Sequence, residues 1–323
     1  FALFFSADFS LLAQNKKIDS LIVALKNEKS EPARVPILLQ LSKFFTTIDL
    51  DRKYIYANQV RLIAEKYKMD TIAPIAYLDM GMTYGIKTEY DSAMVYFSKG
   101  LAVAKRYKVQ SQEARAYVCI GYVFDRLDKK KEAIENYKLA LAIFKKLKHK
   151  KGLNQTYINL GSLYYDMKEY RIADTYFRQA LKIAEKANDD SAIAQGYFNL
   201  GGISFKTGNE EQAYQYYIKS LGMREKMNDL NGIALANMGL GELFSKQGKY
   251  REAQTALDVA LRNNRILENK YQETAVLIII AKNYLRLKNY KEAQDAAQIA
   301  LENAKLINSK TNSLSILGIL TEI

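Results

Sequence analysis

The chain of 323 residues has one cysteine, one histidine, three prolines and no tryptophan. Each shortage excludes something. Cys119 alone closes no internal disulfide and anchors no metal site. His149 lies in the basic run Lys145–Lys151, where a solvated helix end explains it and metal-binding partners are missing. With one imidazole and one thiol, most acid–base and nucleophilic arrangements cannot be assembled. The sequence also lacks a phosphate loop, a GxGxxG after a strand, an HExxH helix and a CxxC pair. Neither catalysis nor a cofactor is expected. The prolines, Pro32, Pro36 and Pro74, all stand near the front, so nothing from Ile75 onward forbids helix. The longest apolar run, Ala275–Ala281, is far too short to cross a bilayer. Any membrane helix would lie downstream of this segment.

What is present is a pattern at helical spacing. It is clearest at Tyr157, Leu160, Gly161, Tyr164, Ala173, Phe177 and Ala180. Residues three or four apart share one helix face. The small residues fall where two helices must approach closely, and the aromatics fill the space between. The pattern recurs at one fixed step along the chain. Its alanine appears at Ala93, Ala133, Ala173, Ala213, Ala253 and Ala293. Its glycine appears at Gly81, Gly121, Gly161, Gly201 and Gly241, with Ala281 in the sixth place. The expected fold is all-α, a right-handed superhelical solenoid of helix-turn-helix repeats.

These offsets resemble the tetratricopeptide repeat, W-x2-L-G-x2-Y followed by A-x3-F, with Tyr157 in place of Trp. The interval from Gly161 to Ala173 keeps the tight turn of the common repeat, which is shorter overall. The interval from Ala180 to Tyr197 carries the extra length, at the outer ends of the helices. The resemblance is to the long-helix class, which includes kinesin light chains and bacterial peptide-sensing regulators. It covers residues 73–312 strongly and 33–72 weakly.

Four segments are expected. Residues 1–14, FALFFSADFSLLAQ, resemble the end of a secretory signal peptide, with small Ala13 before polar Gln14. Asp8 and Leu11 depart from that pattern, and an amphipathic segment packed on the first repeat is the alternative. A signal remnant would make the protein extracytoplasmic (periplasmic); otherwise it is cytoplasmic. Residues 15–32 hold an N-terminal capping helix. Residues 33–312 hold about seven 40-residue repeats, and 313–323 the first helix of a truncated further repeat. In the degenerate first repeat, helices are expected near Ala33–Thr46 and Asp51–Tyr67. Lys53 stands there where later repeats have Ala, and should loosen the packing. Further on, helices are expected near Ser191–Lys206 and Glu210–Met227. Asp91, Asp190 and Asn209 are expected N-caps. Gly208 and Gly248 are expected to take positive φ after helix ends.

The net charge of +13, from 48 basic and 35 acidic residues, favours acidic partners by long-range steering. Lysines are nonetheless spread over every repeat, as on an ordinary solvated helix surface. Most of the tyrosines, such as Tyr77, Tyr84, Tyr117, Tyr137, Tyr157, Tyr164, Tyr197 and Tyr217, occupy repeat-packing positions, so no nucleic-acid partner is expected. The family resemblance implies instead a protein or extended peptide held in a concave groove lined by the first helix of each repeat, and the basic charge balance favours an acidic one. The groove positions are Arg115, Tyr122 and Arg126; Gln155, Asn159, Ser162, Tyr165 and Asp166; Gln195, Asn199 and Lys206; Glu242 and Lys246; Lys282 and Arg286. Asn159 and Asn199 stand immediately before Leu-Gly, where carboxylate-clamp members of the family hold a peptide. Gln155 and Gln195 stand where that class uses Lys, so the whole clamp is not reproduced. The signal-like start, the long Lys/Tyr/Asn-rich repeats and the truncated end resemble the extracytoplasmic sensor portion of bacterial two-component histidine kinases and related regulators. The alternative is a cytosolic adaptor or peptide-responsive regulator. A third option is self-association through an exposed terminal repeat.

Overall fold

The chain reverses direction at a regular interval through much of its length. Successive helices begin at Tyr90, Gln110, Lys130, Lys150, Tyr170 and Asp190, and the same step continues to Lys310. The computed structural model describes residues 16–46, 48–307 and 309–323. The signal-like segment of residues 1–14 lies outside the described residues.

Two compact units divide the chain, the first ending at Leu160 and the second beginning at Gly161. The first contains α1 (residues 16–27), α2 (Glu31–Phe44), α3 (Leu50–Lys66), α4 (Ala73–Ile86), α5 (Tyr90–Arg106), α6 (Gln110–Arg126) and α7 (Lys130–Lys146). Helix α8 (Lys150–Asp166) runs through the boundary. The second contains α9 (Tyr170–Ala187), α10 (Asp190–Lys206), α11 (Glu210–Lys226), α12 (Leu230–Lys246), α13 (Tyr250–Ile266), α14 (Lys270–Arg286), α15 (Tyr290–Leu306) and α16 (Lys310–Glu322). Each unit is a stack of antiparallel helix pairs. Within the first, α4 packs on α5 and also on α6; within the second, α10 packs on α11 and α12, and α12 on α13 and α14. First helices of neighbouring pairs therefore lie side by side and form one face of each stack. No described helix is long and apolar enough to cross a membrane.

Most helices share one length and are joined by equally short turns, within a pair and between pairs alike. Among the described residues a left-handed residue recurs in these turns, as at Lys108, Asp128, Lys148 and Lys168. The turn closes through backbone hydrogen bonds. After α6, Lys129 N–H donates to Phe124 O at 2.8 Å and Asp128 N–H to Asp125 O at 3.1 Å, satisfying carbonyls that the helix end leaves open. Gly208 and Gly248 take φ of 84° and 73°, as expected. The other turns use Lys, Asp, Asn, Thr or Glu at the same place.

The repeat residues pack as their spacing demands. Ala93, Ala133, Ala173, Ala213, Ala253 and Ala293 are all fully buried. In the second unit, Ala213, Tyr217, Leu240, Leu243 and Ala256 form one core cluster. In the first, Leu78, Ala93, Phe97, Ala116, Ile120 and Val123 form another.

Some details differ from the sequence reading. The first pair of helices begins one or two residues earlier, because Pro32 sits in the first turn of α2, where its missing N–H costs nothing, and Asp49 caps α3. Asn209 caps α11 by accepting from Gln212 N–H. Asp190 does not cap; Asp189 does, accepting from Ala192 N–H, and Asp190 is the first helical residue. Asp91 lies inside the first turn of α5, where its charge suits the helix dipole. Lys53, at the place of the buried alanine of later repeats, is itself buried. It is 2% exposed, and its Nζ donates to Thr46 Oγ1 at 3.0 Å. Burial lowers its pKa, against the opposing pull of Asp79.

Candidate functional site

In the first unit, three of the expected groove residues come together. Tyr122, Gln155 and Asn159 line a hollow of about 330 Å3, with Met82, Phe97 and Cys119 beneath them. Gln155 Nε2 donates to Asn159 Oδ1 at 3.0 Å. The Arg126 guanidinium lies over the Tyr122 ring at 5.3 Å and pairs with Asp125 at 3.5 Å. Arg115 stands apart from this hollow. Its Nη1 donates to Gln112 and its Nη2 lies 3.6 Å from Asp79 of α4. Burial pushes the Cys119 thiol up to about 11, so it stays protonated at neutral pH.

In the second unit, the face made by α10, α12 and α14 carries a cleft of about 760 Å3. Lys206 (α10), Lys246 (α12), Lys282 and Arg286 (α14) line it, with Glu242 of α12 as the acidic member. The register explains this gathering. Lys206, Lys246 and Arg286 occupy the same repeat position in three successive first helices. Lys206 and Lys246 both lie over the Phe205 ring, at 5.4 and 5.2 Å, and Lys246 pairs with Glu210 at 3.1 Å. The floor is polar and buried. Asn283 Nδ2 donates to Ser245 Oγ at 2.8 Å, and Ser245 Oγ donates to Gly241 O at 2.6 Å. Asn283 Oδ1 is buried without a hydrogen-bond partner.

Beside the cleft lies a second, smaller hollow of about 260 Å3. Tyr165, Asn199 and Glu242 meet there, together with Ser162 and Asp166. Burial raises the pKa of Glu242, while Lys206 and Lys282 pull it back. Burial, with Glu242 nearby, pushes the Tyr165 hydroxyl up to about 12. Gln195 does not reach this hollow. It joins Asn199 to the second helix of the pair: Gln195 Nε2 donates to Asn199 Oδ1 at 2.9 Å, and Gln195 Oε1 accepts from Arg224 Nη2 at 3.1 Å. Arginine only donates, so this chain of bonds orients both amides. Asn199 Nδ2 is left buried and without a partner.

Two features escaped the sequence reading. Tyr217, assigned there to packing alone, also walls the smaller hollow. Gly202 and Gly239, which line it, were not singled out. The signal was available. Both occupy places that carry side chains in most other repeats: Met82, Tyr122, Ser162, Glu242 and Lys282 in one case, Asp79, Cys119, Asn159, Asn199 and Ile279 in the other. Among the described residues no group of three or more His, Cys, Asp or Glu is placed to hold a metal ion.

Family models of the tetratricopeptide repeat match residues 152–226 and 114–146. No curated protein matches the sequence. Solved structures do. Aspartyl phosphate phosphatase F from Bacillus subtilis is similar over 91% of this chain and 76% of its own, with a TM-score of 0.66 and 16% identity. A Rap protein complexed with competence and sporulation factor is similar over 97% of both chains, with a TM-score of 0.59 and 13% identity. A signal transduction ATPase with numerous domains and a tetratricopeptide repeat sensor, from Pyrococcus horikoshii, is similar over 99% of this chain and 52% of its own, with a TM-score of 0.68 and 15% identity. At such identities the likeness is one of fold. The chain carries tetratricopeptide repeats, built as stacks of paired helices.

Proposed function

We propose that this protein is a non-catalytic module that binds an extended, acidic peptide or protein segment on the α10/α12/α14 face. The observation that carries the reading is the cleft itself, with Lys206, Lys246, Lys282 and Arg286 around one carboxylate. Repeats of this type bind through the face of their first helices, and these four cations all stand on first helices. The role we favour is the sensor or ligand-binding part of a bacterial signalling protein. It is supported by the neighbours of known fold, one a Rap protein complexed with competence and sporulation factor and one carrying a tetratricopeptide repeat sensor. A cytosolic adaptor for a protein partner would use the same face.

The test is a titration with acidic peptides of about ten residues, long enough to span three first helices spaced roughly 10 Å apart. Binding should weaken as salt rises, because exposed charges are screened over about 8–10 Å near physiological ionic strength. The double variant Lys282→Ala, Arg286→Ala should weaken it further without unfolding the chain. Affinity that ignores both salt and the double variant would move the site off this face.

A further inference from the structure

The smaller hollow shares Glu242 with the cationic cleft but has the opposite character. No lysine, arginine or histidine lines it. Its walls are the rings of Tyr165, Phe177, Phe198 and Tyr217, and its carboxylates are Glu242 and, at the exposed rim, Asp166.

Glycine makes the space. A Cβ on Gly239 would come within 2.8 Å of the Tyr217 ring, so packing alone accounts for that residue. Gly202 is different. A Cβ there would meet only Tyr165 at 3.8 Å and the Tyr217 hydroxyl at 4.0 Å, which is ordinary contact. It lies inside α10 and its φ is not positive. Glycine in a helix interior lowers stability relative to alanine. Neither turn geometry nor crowding asks for it here. What its absence of side chain does is keep the hollow open.

We propose that this hollow is a specificity pocket for one cationic side chain, a guanidinium or an ammonium, on a ligand whose acidic part lies in the adjoining cleft. This step rests on the reading given above for that face. The chemistry selects among occupants. Aromatic faces attract a cation through their quadrupole, and a guanidinium stacks on a ring while pairing with a carboxylate. An acidic side chain would face two carboxylates. A neutral aromatic or aliphatic one would bury Glu242 more deeply with no partner, which is costly. A cation supplies the partner that Glu242 lacks inside the hollow. Lys206 and Lys282 act on Glu242 from the cleft and offset only part of its burial, and neither of them lines the hollow.

The pocket can be probed without the peptide. The probes are N-acetyl-arginine amide, N-acetyl-lysine amide, N-acetyl-leucine amide and N-acetyl-aspartate amide, followed by saturation-transfer NMR at millimolar concentration and low salt. The arginine and lysine probes should saturate, and the leucine and aspartate probes should not. Gly202→Leu fills the hollow and should abolish the signal. Gly202→Ala, whose Cβ fits, should retain most of it, and Glu242→Gln should weaken it tenfold or more. Circular dichroism melting separates loss of binding from loss of folding in Gly202→Leu, and Glu242→Gln keeps the test open if that variant unfolds. Saturation of the leucine probe equal to that of arginine, indifference to both Gly202→Leu and Glu242→Gln, or no saturation by either cation would overturn the proposal. Failure of acidic peptides to bind the cleft would strike the earlier reading and leave this titration's outcome standing by itself.

Discussion

Gly161 lies directly beneath the ring of Phe177, so that a Cβ built on it would fall 2.5 Å from the ring edge. The same relationship recurs, at the same offset along the chain, between Gly81 and Phe97, Gly121 and Tyr137, and Gly201 and Tyr217. At the fifth place Leu257 stands over Gly241 where the others have a ring, and at the sixth both positions are alanine: Ala281 and Ala297 are fully buried. The two positions trade volume. Gly161→Ala should therefore destabilise the fold by about 1–3 kcal/mol through overpacking, less up to about 1 kcal/mol from better helix propensity. In a Phe177→Ala background the overpacking should vanish and only the helix gain remain. A double-mutant cycle by urea unfolding measures this coupling. Additive costs would show that the ring does not set the glycine.

A second prediction concerns Asp229, which does two things at once. Its Oδ1 caps α12 by accepting from Gly232 N–H at 3.0 Å, and its Oδ2 pairs with Arg224 Nη1. Arg224 is 7% exposed, so losing its charge partner is costly. Asp229→Asn keeps the cap and removes the charge. It should cost about 1–3 kcal/mol, moderated because Asp229 itself is 30% exposed and solvent screens the pair. Asp229→Ala also removes the cap and should cost about 1 kcal/mol more. Equal losses in the two variants would mean that the cap contributes nothing.

Much of the fold was legible because one recurrent spacing of small residues sets where helices meet. The even reversal of the chain, once per helix, was not. Among the described residues its left-handed positions hold residues such as Lys148, Lys168, Asn188 and Glu268 far more often than glycine, and their turns are closed by backbone hydrogen bonds that no side chain announces. The groove was legible by position and less so by contact. Tyr122, Gln155 and Asn159 do converge, and so do Lys206, Glu242 and Lys246. Arg115 turns to Asp79 on the preceding first helix, and Gln195 to Arg224 on the second helix of its own pair. Such partners depend on how helices stack, which a single helix face does not encode.

Acid should weaken the second unit at Glu273. Its side chain is 3% exposed and is held by Arg265 Nε at 3.0 Å and Lys270 Nζ at 2.9 Å. Burial alone would raise its pKa, but the two hydrogen bonds and the positive charges behind them together outweigh burial and hold it below the ordinary carboxylate value. A carboxyl with a depressed folded pKa stabilises the fold above its unfolded pKa, and the benefit fades as pH falls through the folded one. Glu273→Gln should therefore lower the Tm at about pH 7, by a margin that shrinks as pH falls from the unfolded carboxylate value, about 4.3, toward about 3. Melts by circular dichroism at both values are the check. A Tm difference that is the same at both pH values would remove Glu273 from the acid response.

Glu242 should respond with the opposite sign. Burial raises its folded pKa, and Lys206 and Lys282 only partly offset this. Tyr165 and Tyr217, also at the hollow, keep their protons because burial raises them too, and so bring no compensating charge. The folded state thus holds the Glu242 proton to higher pH than the unfolded chain does. Ionising the residue costs stability as pH rises from the unfolded value, about 4.3, through the folded one. Glu242→Gln removes that cost. Its Tm should exceed that of the parent at about pH 7 to 8, and the advantage should shrink as pH falls toward about 4. A residue that weakens its own fold is expected where a site needs a charge, so the stabilised variant should also be the one that binds cationic probes poorly. Melting curves across this range, paired with probe titrations on the same samples, test both halves. A variant that gains no stability at neutral pH would show that Glu242 is already well compensated within the fold, and would leave it no reason to seek a cation from outside.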